Sequence, residues 1–225
     1  MSELVNADFA KRVVIATGDL PWTPSPQAGV ERRRLDRIGG EIARATSLVR
    51  YAPDRSFPHH VHELGEEFLV LEGTFSDEHG DYPAGTYVRN PPGSFHSPYT
   101  RPGCTILVKL RQMPREEDRR IVLDTEAVPW QPIAVEGRWA RQLLYACDRT
   151  GEIVTLERIA ARTRLGFQEI PGGEEIYLLT GSLIDDHGRY EAGTWIRNPV
   201  GFGRNLGSDD GATFWAKRGH LHGRS

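Results

Sequence analysis

The stretch "GEEFLVLEGTFSDEHGDYPAGTYVRNPPG" at 65–93 returns as "GEEIYLLTGSLIDDHGRYEAGTWIRNPVG" at 173–201, without a gap. The shift is 108 residues, and over 65–109 it makes 19 of 45 positions identical to their partners. The register runs outward through Pro21-Trp22 with Pro129-Trp130, Gly29 with Gly137, and Lys109 with Lys217. A chain that writes one segment twice folds it twice. The expected organisation is an N-terminal extension (1–19), a first unit (20–127), a second unit (128–219) and a tail (220–225).

Each unit reads as β. "ARATSLVRY" and "GCTILVKL" are rich in apolar and β-branched residues. The repeated segment alternates apolar runs with Gly, Asp and Asn turns every 8–12 residues. The 24 glycines and 15 prolines fall singly between short apolar runs, as turns between strands require. No long helical stripe is present. The expectation is all-β: two small sandwiches or barrels. The charged "PREEDRR" (114–120) reads as a solvated linker or a short helical turn.

Composition narrows the function classes. The net charge is −3 and no basic block stands out, which argues against a nucleic-acid partner. The N-terminus lacks the apolar run of a signal peptide, and no stretch approaches the ~18 apolar residues of a membrane helix. A cytoplasmic location is expected. Cys104 and Cys147 suit a reducing compartment and form no zinc-type pair.

The chemistry concentrates in the first unit. In an extended "HHVH", His60 and His62 project to one face. Glu66 and Glu67 begin the next strand on opposite faces, so only one of them can join the histidines. His96 closes "GTYVRNPPGSFH" after a tight return. Three imidazoles and a carboxylate converging inside a barrel suit a divalent transition metal.

These spacings resemble the cupin family. Its first motif, G-x5-H-x-H-x3/4-E-x6-G, is matched from the histidines onward by His60, His62, Glu66 and Gly73; Asp54 stands where the leading glycine would be. Its second motif, G-x5-P-x-G-x2-H-x3-N, is matched by Gly85, Pro91, Gly93 and His96, with Thr100 for the final Asn. The resemblance implies two tandem cupin barrels (double-stranded β-helix, jelly roll) from internal duplication. It implies His60, His62, Glu66 and His96 as ligands of one metal, Zn²⁺ or Fe²⁺, with Mn²⁺ and Ni²⁺ also compatible.

"ARATSLVRYAP", the long repeat and "GCTILVKL" are similar to ChrR-like cupins over nearly the whole chain. In that family the cupin can form the C-terminal half of a zinc-dependent anti-sigma factor. Only about 20 residues precede the first cupin here, too few for the helical sigma-binding domain. Sigma-factor binding in the usual way is therefore not expected.

The second unit replaces His60 by Gln168, His62 by Ile170 and His96 by Arg204, and keeps Glu66 as Glu174. No metal is expected there. Arg204 should pair with Glu174, with an anion held on Arg204 as the alternative. His59 reads as a surface residue. His79 and Arg89-Asn90-Pro91 recur as His187 and Arg197-Asn198-Pro199, and so read as structural. Glu67 reads either as a group supporting the ligands or as a surface carboxylate. Cys104 reads as a buried thiol, with a redox group near the metal as the alternative. His220 and His222 lie in a tail expected to be disordered.

Three functions fit. The first is a small-molecule or redox-responsive regulatory protein with one metal in the N-terminal barrel. The second is a non-haem Fe(II) dioxygenase cleaving a small diketone or hydroxyketone, with Phe57, Phe68 or Tyr87 as an apolar lining. The third is a structural zinc bicupin. No general base stands out, so catalytic residues stay unassigned, and monomer and homodimer both fit.

Overall fold

The computed structural model describes residues 3–40 and 42–221, and their regular secondary structure is antiparallel strands apart from one 3-10 turn at Thr17–Asp19. Contacts divide the chain into two units, the first comprising Met1–Ala7 and Pro21–Ala127, the second Asp8–Leu20 and Val128–Ser225.

In the first unit the main sheet runs in the order Glu3–Val5, Val30–Gly39, Ala43–Tyr51, Cys104–Leu110, Glu66–Asp77, Thr86–Asn90, Ile121–Asp124. The strand Glu66–Asp77 serves two sheets. Its first half pairs with Cys104–Leu110 and Thr86–Asn90, and its second half with Gly80–Pro83 and Tyr99–Thr100. The bend between the halves needs glycine. Gly73 has φ +70°, and a Cβ there would sit 1.9 Å from the Gly103 carbonyl oxygen. Gly181 repeats this against Gly211. A short ladder, His60–Val61 with Phe95–His96, lies apart from the main sheet.

Period-two alternation fills the barrel. Phe68 and Val70 point inward with Val49, Phe75, Val88, Ile106 and Val108 in one buried cluster. The second unit repeats the arrangement around Ile176, Leu178, Ile196 and Phe214. Burying side chains of this size is worth about 1.5–3 kcal/mol each.

The residues expected as an N-terminal extension (1–19) are not an appendage. Glu3–Val5 pairs with Val30–Gly39 in the first unit. Val13–Ala16 pairs with Thr194–Asn198 in the second unit. Its counterpart 108 residues on, Ile121–Asp124, pairs with Thr86–Asn90 in the first. Each unit thus closes with a strand from the segment that precedes the other repeat. The tail expectation is corrected as well. His220 and Leu221 are buried, with His220 Nε2 2.9 Å from Glu175 Oε1. Here burial of an apolar residue and a buried hydrogen bond override polar composition. His222 lies outside the described residues.

Candidate metal centre

Cross-strand register builds the site. His60 faces His96 across the short ladder, and Glu66 opens the long strand beside Asn90. His62 is held by backbone bonds, its N–H donating to Ser94 O (2.8 Å) and its carbonyl accepting from Gly93 N (2.8 Å). The glycine before Glu66 is required by the close return: Gly65 has φ +75°, and a Cβ would meet Met113 Sδ at 2.3 Å.

His60, His62, Glu66 and His96 come together with one potential ligand atom each, all within 4.8 Å of one another. Glu66 Oε2 lies 3.5 Å from both His62 Nε2 and His96 Nε2. Bonds of about 2.0–2.2 Å to one ion place neighbouring ligand atoms roughly 3–3.5 Å apart, so the spacing fits. His62 Nε2 and His96 Nε2 are buried and make no hydrogen bond. Two orphaned imidazole nitrogens facing a carboxylate are costly without an ion between them. The donor set therefore suits a divalent metal.

Supporting bonds fix the ligands. His60 Nδ1 donates to Pro58 O at 2.8 Å, which leaves Nε2 as the ligand atom. His96 Nδ1 lies 3.1 Å from Asp77 Oδ2. Asp77 also accepts from Tyr82 Oη (2.9 Å) and the His79 backbone N–H (2.8 Å). Asn90 Nδ2 donates to Glu66 Oε2 at 3.1 Å, and Arg120 Nε donates to Asn90 Oδ1 at 3.3 Å. Such partners set ring orientation and ligand basicity. Burial lowers the His62 pKa, with Glu66 opposing. Burial also acts to lower that of His96, but the Asp77 and Glu66 carboxylates outweigh it and raise it.

Glu67 is neither a supporting group for the ligands nor a surface carboxylate. It is 2% exposed on the opposite face of its strand. It accepts from Tyr87 Oη (2.8 Å) and Arg89 Nη1 (3.1 Å). Glu67, Arg89 and Lys109 form one row across three strands, repeated by Glu175, Arg197 and Lys217. Both glutamates of the repeated doublet are thus held by buried partners on opposite faces. Arg89 and Asn90 sit at the end of a strand rather than in a turn.

A cavity of about 480 Å³ adjoins the ligands, with walls that include Val49, Tyr51, Phe57, Ile106 and Val108. Phe57 lines it, whereas Tyr87 is engaged with Glu67 and Phe68 packs in the core. Cys104 packs in the core too, and burial pushes its thiol up to about 11. A thiol held protonated is a poor redox group. His59 is exposed and lies against Phe95.

In the second unit Gln168 faces Arg204 as His60 faces His96. Arg204 Nη2 lies 2.7 Å from both Glu174 oxygens, Arg204 Nη1 donates to Gln168 Oε1 at 2.9 Å, and Arg218 Nε donates to Glu174 Oε2 at 2.8 Å. The expected pair is formed, and it takes up the guanidinium donors that an anion would need. Asp77, Asn90, Arg120 and Arg218 were not singled out as functional from the sequence. The one available signal was the persistence of Asp77 and Asn90 as Asp185 and Asn198.

Among solved structures, the chain resembles a Nostoc punctiforme protein provisionally assigned as a dioxygenase: 19% identity, 96% of this chain and 81% of that one, TM-score 0.72. It resembles a cupin 2 conserved barrel domain protein from Leptotrichia buccalis at 16% identity, covering 96% and 99%, TM-score 0.63. It also resembles Bacillus subtilis oxalate decarboxylase, an enzyme with Mn(II) centres, at 15% identity, covering 93% and 77%, TM-score 0.60. At such identities the likeness is one of fold. No curated protein matches the chain. The ChrR cupin-like domain matches twice, over residues 10–114 and 118–222, and with the tandem barrels and the four converging ligands this places the chain in that family as a metal-binding bicupin.

Proposed function

We propose that the first unit is a metal-dependent small-molecule site, and that its chemistry is the oxidative cleavage of a small diketone or hydroxyketone. One observation carries this reading: the His60, His62 and Glu66 ligands border a cavity of about 480 Å³ with largely apolar walls. A purely structural zinc site is closed by its protein ligands, and this cluster borders space for an organic molecule. Bound iron would supply a centre at which O₂ and a chelating substrate meet. The protein's part is then positional. His60 and His96 are fixed through Nδ1, Glu66 is fixed by Asn90, and the apolar walls exclude water around the substrate.

Acid–base chemistry has little support. Glu63 borders the cavity but is exposed and accepts a hydrogen bond from Arg111. Burial pushes the Tyr51 hydroxyl far up, so it stays protonated. A small-molecule-responsive regulator is the second reading, favoured by membership of the ChrR cupin-like family. The inert Cys104 counts against a thiol-based redox version.

The test is metal analysis after native purification, followed by O₂ uptake on a diketone panel with Fe(II)-loaded protein. Iron with O₂ consumption supports the oxygenase. Full iron loading without consumption rejects it in favour of ligand sensing.

A further inference from the structure

The cavity carries a feature that metal binding does not use. Strand Val30–Gly39 turns Arg32 and Arg37 into its lining. Arg37 lies in one cross-strand row with Glu66, through Leu110 and Ala45. Three strand spacings, about 14 Å along the sheet, separate the two backbone positions, and both side chains line the cavity. Arg37 is 7% exposed, and its Nε is buried without a hydrogen bond. Its Nη2 donates to the Gly40 carbonyl, and the guanidinium forms an ion pair with Glu3, Nε to Oε2 3.5 Å, whose carboxylate is 42% exposed. Tyr51 lines the same cavity, is 9% exposed, and interacts electrostatically with both Glu66 and Arg32.

The second unit acts as an internal control. Its strand Trp139–Cys147 pairs so that Trp139 faces Ile159 as Val30 faces Tyr51, with the bulge at the same step, after the fifth pair. On that alignment Arg37 corresponds to Ala146 and Tyr51 to Ile159, while Arg32 is kept as Arg141. The unit that lost three histidines therefore also lost Arg37 and Tyr51.

We propose that the cavity takes a small organic monocarboxylate with an apolar body, its carboxylate on Arg37 and its second oxygen function directed to the metal ligands, within reach of the Tyr51 hydroxyl. This deepens the proposed function and rests on the first unit's cavity being the site. Charge-assisted bonds from a buried guanidinium are stronger than those to a neutral analogue, so the carboxylate should be preferred.

The experiment compares 4-acetylbenzoate, whose carboxylate and ketone stand at opposite ends of an apolar ring, with its neutral amide by calorimetry on Zn²⁺-loaded protein, where no turnover interferes. The acid should bind at least tenfold more tightly than the amide. Arg37→Gln should remove that preference while metal content stays unchanged, and Tyr51→Phe should weaken both probes. Equal binding of acid and amide by the unaltered protein overturns the proposal. Binding of neither by fully loaded protein also overturns it and leaves the metal reading intact. If the protein takes up no metal, the metal reading fails, and the acid-to-amide ratio on metal-free protein decides this proposal alone.

Discussion

Arg204 grips Glu174 with Nη2 2.7 Å from both carboxylate oxygens, in the places that His96 and Glu66 hold in the first unit. With Arg218 and Asn198 it satisfies a buried carboxylate that in the first unit faces three imidazoles. Removing Arg204 leaves the buried carboxylate with Arg218 as its one cation, a loss of up to about 3–5 kcal/mol. Arg204→Met should therefore lower the unfolding midpoint sharply, and Glu174→Gln with Arg204→Met should recover much of the loss. Urea unfolding of both variants checks this.

The same pair makes stability pH-dependent. Burial alone would raise the Glu174 pKa; Arg204 and Arg218 outweigh burial and hold it down at about 2. A depressed carboxylate contributes stability in full above its unfolded value of about 4.5. That contribution is lost as pH falls toward 2. It is on the order of 3 kcal/mol. Acid titrations should show a destabilising limb between about pH 4.5 and 2 that Glu174→Gln flattens. An unchanged limb would contradict the assignment.

The ligand supports are testable apart from the ligands. Asp77→Asn weakens the bond to His96, and Asn90→Ala removes the bond to Glu66. Each should reduce metal affinity about 10–100-fold. His59→Ala, on the exposed face, should leave affinity unchanged. Competition with a chelating dye measures all three.

The segment Asp8–Leu20 should behave as part of the second unit. Arg12 donates to Asn198 Oδ1 (2.9 Å), Asp185 Oδ2 (2.6 Å) and Tyr190 Oη (2.9 Å), and Phe9 lies under Arg197. Deleting residues 8–20 should make the second unit sensitive to proteolysis while the first keeps its metal. Protease mapping together with metal content would show this.

The barrels and the ligands were legible because both are written locally. The repeat fixes two copies of one fold, and His60, His62 and Glu66 lie within seven residues of one another. The rest depends on long-range contacts. Val13–Ala16 carries no mark of which sheet edge it will join. Alternation placed Glu67 opposite Glu66, but only Arg89 and Tyr87 show that its face is buried. Asp77 acts on His96 from 19 residues away, across a turn that looks the same in both units. His220 read as tail because its partner, Glu175, lies 45 residues back.

The most direct test of the account is metal stoichiometry. The protein should be stripped with a chelator, loaded with excess Mn²⁺, Fe²⁺ or Zn²⁺, desalted and measured by elemental analysis, alongside His96→Ala. The account predicts one metal per chain, held by the first unit, and a strong loss in His96→Ala. Two metals per chain, none, or an unchanged content in His96→Ala would contradict it.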